Sequence, residues 1–270
     1  MSPEELAQRL AWLQQWMGRE IASRQALLYP QSAWPMPRLI ADATVVIDPR
    51  NDKEYPSINP NHVEHLGTSG LASRRILAEI IDLYRSSGVP RFFVYLSPGR
   101  QASEIELWLN RAGLTKMVEL AVLWRAAEEI GTPQSDFEIR LCQPMHTDLL
   151  GAVVSDEGDP FGYASGTVDM LGAANFHTLL AMLDEEPAAT GSLYVHQNLG
   201  YLGNGKTLEP YRRRGAQTAL IGARVEMAAG LGCTDVVSET YPFLPSSYHN
   251  LLRAGFVDLY SRSIYRWDAA

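Results

Sequence analysis

The chain has 270 residues, of which 46% are hydrophobic and 20% are charged, a composition typical of folded proteins and not of disordered ones. Its formal charge of −8 and its pI near 5.3 argue against a nucleic-acid partner, because binding to a phosphate backbone depends on basic surface. The apolar runs are too short to cross a membrane and the N-terminus is acidic, so we expect a cytoplasmic protein without a membrane partner. The length fits two domains of ordinary size.

Patterns in the first half predict alternating helices and strands. Ser2, Pro3 and Glu5 are typical of a helix start, and a Pro-rich stretch from residue 29 ends that helix. The segment 48–61 is polar and predicts a loop. A linker is predicted at 131–136, which divides the chain into domains 1–130 and 137–270. The elements predicted for the first half are a helix to about residue 27, a strand at 43–47, a helix at 71–87, a strand at 92–96, a helix at 102–111 and a strand at 117–124.

The second half has a similar layout. Its predicted elements are a helix at 146–154, strands at 177–183, 192–197 and 200–208, a helix from 215 to about 229, a strand at 236–239, a helix at 246–253 and a strand at 256–267.

The two halves also match each other at a constant offset of 142 residues, which aligns Gly88 with Gly230 and the Arg-Ala-Gly triplet at 111–113 with the one at 253–255. The same offset aligns a helix, a turn, a strand, a helix and a strand in order, which favours a tandem duplication.

Neither cysteines nor histidines predict a metal. Cys142 and Cys233 are far apart, which suits neither a disulfide framework nor a metal site, and we expect both to be buried. His62 and His65 have the spacing of one helical face, but proline and glycine crowd their segment and no third ligand is evident.

The segment 211–218 carries the strongest functional signal, and it reads YRRRGAQT. It lies between a predicted strand and a predicted helix, where backbone N–H groups and the helix dipole favour an anion such as a pyrophosphate. Gly215 permits close approach of the backbone, and the arginines add positive charge. For three arginines alone, a solvated basic turn would be the preferred interpretation.

The same residues resemble the acetyl-CoA loop of the GNAT acetyltransferase superfamily, which reads Arg/Gln, two residues, Gly, one residue, Gly/Ala. Arg212, Gly215 and Ala216 follow that pattern, and Gln217 departs from its last position. A bacterial GNAT subgroup with RGRGAQ, a small residue and Ala-Leu at this place is similar to the chain here. The turn 250–256, which reads NLLRAGF, also matches, and the resemblance covers about 137–267.

The resemblance implies an α/β (α+β) chain of two GNAT-like domains, each a mixed, mostly antiparallel sheet flanked by helices. The sheet would be splayed at the acyl-CoA site, between the strands ending at Leu208 and Thr240, and the pantetheine arm would insert there like an added strand. Acetyl-CoA is therefore the implied co-substrate. The residues implied to bind it are Thr207, Leu208, Arg212, Arg213, Arg214, Gly215, Ala216, Gln217 and Thr218.

The resemblance further implies direct attack of an amine on the thioester, which requires a base, a donor to the carbonyl and an acid for the leaving thiolate. A backbone N–H near Leu208 is the expected carbonyl donor. Glu239 is the first candidate base and Glu209 the second, with a solvated surface carboxylate as the alternative for each.

The acid is less clear from the sequence. Many GNAT members use a tyrosine four residues before the glycine of the final turn, and Leu251 stands there in this chain. Tyr248, one helical turn earlier, is the substitute candidate, although plain helix packing explains it equally well. Asn250 is a candidate for binding the pantetheine or a water.

The first copy lacks the features of this loop. At the offset of 142, Ser73 corresponds to Gly215, and Gly70, Leu71 and Ala72 correspond to the three arginines. We therefore expect a degenerate first domain that supports the second or shapes its acceptor cleft.

Together these patterns predict transfer of an acetyl or short acyl group from acyl-CoA to an amine of a small molecule or peptide. A catalytically weak CoA-binding sensor or scaffold is the rival, and an acyltransferase using a carrier-protein donor, docked on the basic loop, is a third option. The segment 196–198 is a weaker candidate for the border of an acceptor pocket. The sequence leaves open the acceptor and the oligomeric state, a homodimer being one option.

Overall fold

A computed structural model describes residues 1–31, 35–56, 59–128, 135–154 and 167–269. They form two compact units, of which one comprises Met1–Ala121 with Tyr260–Ala270 and the other Val122–Leu259. Most of the predicted linker, 131–136, lies outside the described residues. Most of the last strand belongs to the first unit, whereas the division proposed from the sequence counted it with the second. None of the described helices is both long enough and apolar enough to span a membrane.

The first unit contains most of the predicted elements and two short strands that were not predicted. Ser2 caps the first helix, because its Oγ accepts the backbone N–H of Glu5 at 3.1 Å. The elements are α1 (Pro3–Leu28), β1 (Arg38–Ile40), β2 (Ala43–Val46), β3 (His62–Glu64), α2 (Arg74–Ser86), β4 (Arg91–Leu96), α3 (Ala102–Arg111), the first part of β5 (Thr115–Ala126) and most of β11 (Val257–Asp268).

The sheet of the first unit has the order β1-β2-β3-β4-β11. Its pairs are antiparallel except for β3 with β4, which is parallel. The core lies between the sheet and helices α2 and α3. There the ring of Phe92 stacks on Tyr84 at 4.0 Å between centroids and lies 5.1 Å from Trp267 of the last strand.

The second unit is built around one long central helix. Its elements are the last part of β5, β6 (Glu138–Leu141), α4 (Thr147–Val154), β7 (Phe176–Leu183), β8 (Glu186–His196), β9 (Leu199–Thr207), α5 (Ala216–Gly230), β10 (Asp235–Thr240) and α6 (Pro245–Arg253).

Strand β8 begins six residues earlier than the sequence predicted, at Glu186 instead of residue 192. The turn before it consists of Asp184 and Glu185, both with positive φ (51° and 65°), as in the tight turns that join antiparallel strands. These turns usually contain Asn-Gly, so the sequence carried no turn signal.

The sheet of the second unit has the order β10-β9-β8-β7-β6. Its pairs are antiparallel except for β9 with β10, which is parallel. Both units therefore have a mixed, mostly antiparallel sheet flanked by helices, and the predicted fold class is confirmed.

Helix α5 is fixed against this sheet by small and aliphatic side chains. Ala216, Ala219 and Leu220 are buried within its first two turns, and Ala216 and Leu220 pack with residues of β7 and β8. Both cysteines are buried, as predicted, and burial raises the pKa of the Cys142 thiol to about 11. The start of α5 is thus held in a defined place at the end of β9.

Candidate functional site

The loop between β9 and α5 presents a helix N-terminus with no capping side chain. After a short helical turn at Glu209–Tyr211, two residues adopt left-handed backbone angles, Arg213 (φ 61°) and Gly215 (φ 92°). Gly215 is the N-cap of α5, no side chain caps the helix, and its first turn contains no acidic residue. Neither a capping side chain nor an acidic side chain of α5 therefore contacts the N–H groups of its first turn, where the helix dipole is positive.

This loop is exposed and positively charged. The side chains of the three arginines, 212–214, and Gly215 itself lie at the surface. A Cβ added to Gly215 would meet nothing within 4 Å, so the space outside the loop is open. Arg212 Nε donates to the Thr207 carbonyl at 3.3 Å, and the Arg214 guanidinium lies 6.0 Å from the centre of the Tyr211 ring. The arrangement is suited to a small polyanion.

Strands β9 and β10 separate next to this loop. Their parallel pairing runs from Leu199 to Leu202 on β9 and from Asp235 to Ser238 on β10, although both strands continue further. At the last pair, Ser238 Oγ donates to the Leu202 carbonyl at 2.9 Å. Beyond it the edge of β9 at 203–207 no longer pairs with β10. The predicted splay is therefore present.

A β-bulge lies on the other side of the splayed part of β9. The register of β8 and β9 shifts there, because Thr190 pairs with Lys206 but Ser192 pairs with Gly203. Asn204, within the bulge, has a φ of 53°. The bulge changes the direction of β9 where it leaves β10.

The side chain of Arg224, on α5, hydrogen-bonds to the backbone at this bulge. Its Nη1 donates to the carbonyls of Ser192 and Gly203, each at 3.1 Å, and its Nε donates to the Leu220 carbonyl at 3.0 Å. Gly191 leaves the necessary room, since a Cβ there would lie 2.6 Å from Arg224 Cζ. Burial lowers the pKa of Arg224 to about 10, so the guanidinium remains a cation at neutral pH.

The backbone N–H of Leu208 is already used within the sheet. It donates to the Ala188 carbonyl at 3.0 Å. Because hydrogen-bonded and non-hydrogen-bonded pairs alternate along antiparallel strands, the N–H of Thr207 points away from β8 and towards the splay. Thr207 therefore replaces Leu208 as the candidate donor to a carbonyl.

Gln217 has a position that the motif did not predict. Its Nε2 donates to the carbonyls of Thr190 and Lys206 at 3.2 and 3.0 Å and to Thr207 Oγ1 at 3.1 Å. This side chain ties the first turn of α5 to the splayed strand. Thr218, also in the first turn, is half-buried.

No family model and no curated protein matches the sequence. Solved structures do match it. A GCN5-related N-acetyltransferase from Kribbella flavida superposes with a TM-score of 0.62 at 12% identity, over 94% of this chain and 96% of its own. A GCN5-related N-acetyltransferase from Sphaerobacter thermophilus gives a TM-score of 0.58 at 13% identity, over 93% and 91%.

A third match covers both units in a protein of two such domains. A tandem GNAT protein from the clavulanic acid biosynthesis pathway gives a TM-score of 0.57 at 10% identity, over 96% of this chain and 95% of its own. The chain has the GNAT fold. At these identities the likeness concerns the fold, and the chemistry must be argued from this chain's own residues.

Within this GNAT fold, the residues considered as proton donors lie on α6. Tyr248 donates its hydroxyl to Asp258 Oδ2 at 2.7 Å, and this hydrogen bond raises the pKa of Tyr248. Asn250 Oδ1 accepts a hydrogen bond from Arg253. Leu251, at the position where many GNAT members have tyrosine, is only 4% exposed.

The two candidate bases lie in different surroundings. Glu239 is half-buried and is the first residue of β10 beyond the paired part, and its Oε2 accepts the hydroxyl of Tyr201 at 3.2 Å. Glu209 is exposed in the turn before the arginines. Tyr201 was missed from sequence, because only the register of β9 with β10 brings it beside Glu239.

The other histidine candidates do not extend the site. His196 ends β8 and Asn198 precedes β9, where Asn198 Nδ2 donates to Thr234 Oγ1 at 3.2 Å, so both lie at the opposite end of β9 from the splay. His62 lies on a strand, not a helix. Within the described residues, no group of three His, Cys, Asp or Glu side chains is arranged to hold a metal ion.

Proposed function

We propose that this protein transfers an acetyl or other short acyl group from acyl-CoA to an amine of a small molecule or peptide, by direct attack in a ternary complex. One observation carries the proposal: an open, basic helix N-terminus at 215–218 lies directly beside an unpaired strand edge at 203–207. The first feature suits a pyrophosphate and the second suits the amides of a pantetheine arm. Two of the matched proteins are described as N-acetyltransferases, which agrees with this assignment.

The donor would be held mainly by backbone groups. The N–H groups of residues 216–218 and the arginines of the loop would bind the pyrophosphate, with the side chain of Ala216 buried and contributing only its backbone. The arm would pair with β9, whose direction Arg224 and Gln217 fix. Thr207 N–H would donate to the thioester carbonyl, and Glu239 would accept the proton of the attacking amine.

A CoA-binding sensor or scaffold is the second candidate. Leu251 favours it, because a buried leucine cannot protonate a thiolate. Release of free thiol from acetyl-CoA distinguishes the two, since a sensor binds without turnover.

The formal charge of −8 supports a small cationic or peptide acceptor over a nucleic acid.

The first test is calorimetric titration of acetyl-CoA into the wild type, Gly215→Glu and Gly232→Glu. The two glycines are exposed, have φ values of 92° and 85°, and would each carry a Cβ that meets nothing within 4 Å. They lie at opposite ends of α5, so the backbone strain and the added charge are matched. We expect Gly215→Glu to weaken binding at least about 100-fold, or about 2.8 kcal/mol, by repulsion of the pyrophosphate.

The control, Gly232→Glu, should bind acetyl-CoA as the wild type does. Failure of the wild type to bind would contradict the proposal, and so would equal weakening in both variants, because the effect would then come from damage to α5 in general.

A further inference from the structure

The proposed reaction needs an acid for the leaving thiolate, and the positions considered from sequence do not supply one. Leu251 is buried and apolar, and the side-chain amide of Asn250 has no ionisable proton. Tyr248 donates its hydroxyl to Asp258, which is not a candidate base and so cannot pass on the proton of the amine. The acid must therefore be sought on the strands that form the splay.

Tyr201 and Glu239 lie on the same face of the sheet. A Cβ on Gly200 would lie 3.2 Å from the Cβ of Ala228, so Gly200 faces α5 and its neighbour Tyr201 faces the other side. Tyr201 pairs with Val237, which puts Glu239, two residues further along β10, on Tyr201's side. The hydrogen bond of 3.2 Å between the hydroxyl and the carboxylate agrees with this.

The phenol of Tyr201 also lies where the strands part. Tyr201 is one residue before the last paired residue of β9, and Glu239 is the first residue after the paired part of β10. The Tyr201 ring extends along β9 over Gly203, since a Cβ there would lie 3.1 Å from Tyr201 Cε1. Both side chains are half-buried, so they border the splay without being sealed from it.

We infer that Tyr201 and Glu239 form a proton relay, in which Tyr201 protonates the leaving thiolate; this inference rests on the proposed function. The amine nitrogen bonds to the acyl carbon as the carbon–sulfur bond breaks. The proton of that nitrogen passes to Glu239, and the phenol proton of Tyr201 passes to sulfur. The proton on Glu239 then returns to the phenolate through their hydrogen bond, which restores the pair and leaves an amide and a thiol.

The hydrogen bond couples the two transfers. While Glu239 is ionised it is only an acceptor, and the phenol proton is directed at the carboxylate. Once Glu239 has taken the proton of the amine, its carboxyl group becomes a donor to the phenol oxygen, and the phenol proton is free for the sulfur. Tyr201 thus becomes an effective acid only after the amine has been deprotonated.

Tyr201→Phe and Tyr248→Phe make a matched pair of variants, because each removes only a hydroxyl that donates to a carboxylate. The measurements are the Kd of acetyl-CoA and the rate of thiol release, with a panel of polyamines, amino sugars and lysine peptides and also without added amine. Slow hydrolysis, in which water replaces the amine, expels the same thiolate and needs no known acceptor.

We expect Tyr201→Phe to lower kcat by about 100-fold or more, in the range of general acid catalysis, with the Kd of acetyl-CoA changed less than about twofold. Its pH profile should also lose the fall in kcat at alkaline pH that marks loss of an acid. Tyr248→Phe should match the wild type in all three measurements.

Undiminished thiol release in Tyr201→Phe, with normal binding, would overturn the relay alone. The relay would also be overturned if Tyr248→Phe, and not Tyr201→Phe, lowered the rate of thiol release. It would be overturned as well if the wild type bound acetyl-CoA and released no thiol. A wild type that does not bind acetyl-CoA would overturn the proposed function first, and the two failures are thereby distinguished.

Discussion

The loops before α2 and α5 hold equivalent places in the two halves of the sequence, since Ser73, the N-cap of α2, and Gly215, the N-cap of α5, are 142 residues apart. In the first unit, a side chain of the same unit accepts hydrogen bonds from the backbone N–H groups of this loop. The buried carboxylate of Asp42 accepts the N–H groups of Gly67 at 3.0 Å, Ser69 at 2.8 Å and Leu71 at 3.4 Å.

Two further side chains accept hydrogen bonds from backbone N–H groups at the first loop. Ser73 Oγ accepts the N–H of Ile76 at 3.2 Å, and Gln101 Oε1 accepts that of Ala72 at 3.2 Å. The second loop has no capping side chain, and three arginines precede its N-cap where the first loop has Gly70, Leu71 and Ala72. The loop before the helix is therefore bound by a carboxylate of the same unit in the first half, whereas the helix start in the second half has no side-chain cap.

Removing the internal anion should have the largest effect. Asp42→Asn should lower the free energy of unfolding by on the order of 3 kcal/mol, because an amide accepts fewer hydrogen bonds and carries no charge, and some loop N–H groups would lose their partner. Urea denaturation measures this. Asp82→Asn, on the exposed face of α2 and paired with Arg85, is the control and should change stability by less than about 0.5 kcal/mol. A loss below about 1 kcal/mol for Asp42→Asn would mean that the carboxylate is dispensable.

The charge of the open loop should have an intermediate effect, on binding and not on stability. Replacing all three of Arg212, Arg213 and Arg214 by glutamine should weaken the binding of acetyl-CoA about tenfold at low salt. The affinity should then also depend less on salt concentration, since exposed charges are screened. Arg74 and Arg75 form a matched control, because they are exposed in the first turn of α2, and Asp42 already accepts hydrogen bonds from the loop before that helix. Their replacement with glutamine should leave the affinity unchanged, and an equal loss in both variants would show only a long-range effect of net charge.

The link from the open loop to its strand should have the smallest effect. Gln217→Ala removes the hydrogen bonds to Thr190, Lys206 and Thr207. We expect acetyl-CoA to bind about fivefold more weakly, equal to the ~1 kcal/mol of a typical hydrogen bond, with kcat little changed. If calorimetry gave unaltered affinity, the alignment of loop and strand would not depend on this side chain.

Local patterns predicted much of the second half of the sequence. The loop motif predicted the start of α5, and β11 (Val257–Asp268) lies within one residue of its predicted bounds. Strands β5 and β11 both have 12 residues and begin two residues after Gly113 and Gly255, which supports the proposed tandem duplication. These features depend on residues close together in the chain.

Long-range features were not predictable in the same way. Strands β1 and β3 have three residues each, too few for an alternating pattern. Asp42 reaches amides 25 to 29 residues away, and Arg224 fills a bulge that only the register of β8 with β9 creates. The pairing of Tyr201 with Glu239 depends likewise on where β9 stops pairing with β10.

The last strand of the chain makes the first half of the sequence depend on the second. Residues 263–268 pair with β4, and Tyr265 and Trp267 belong to the core of the first unit, although by sequence they end the second copy. A fragment cut near residue 130 would leave the edge of β4 bare and a core short of two large rings, the state in which sheets aggregate. The two halves of the sequence therefore cannot be separated at the midpoint of the chain without disrupting the core of the first unit.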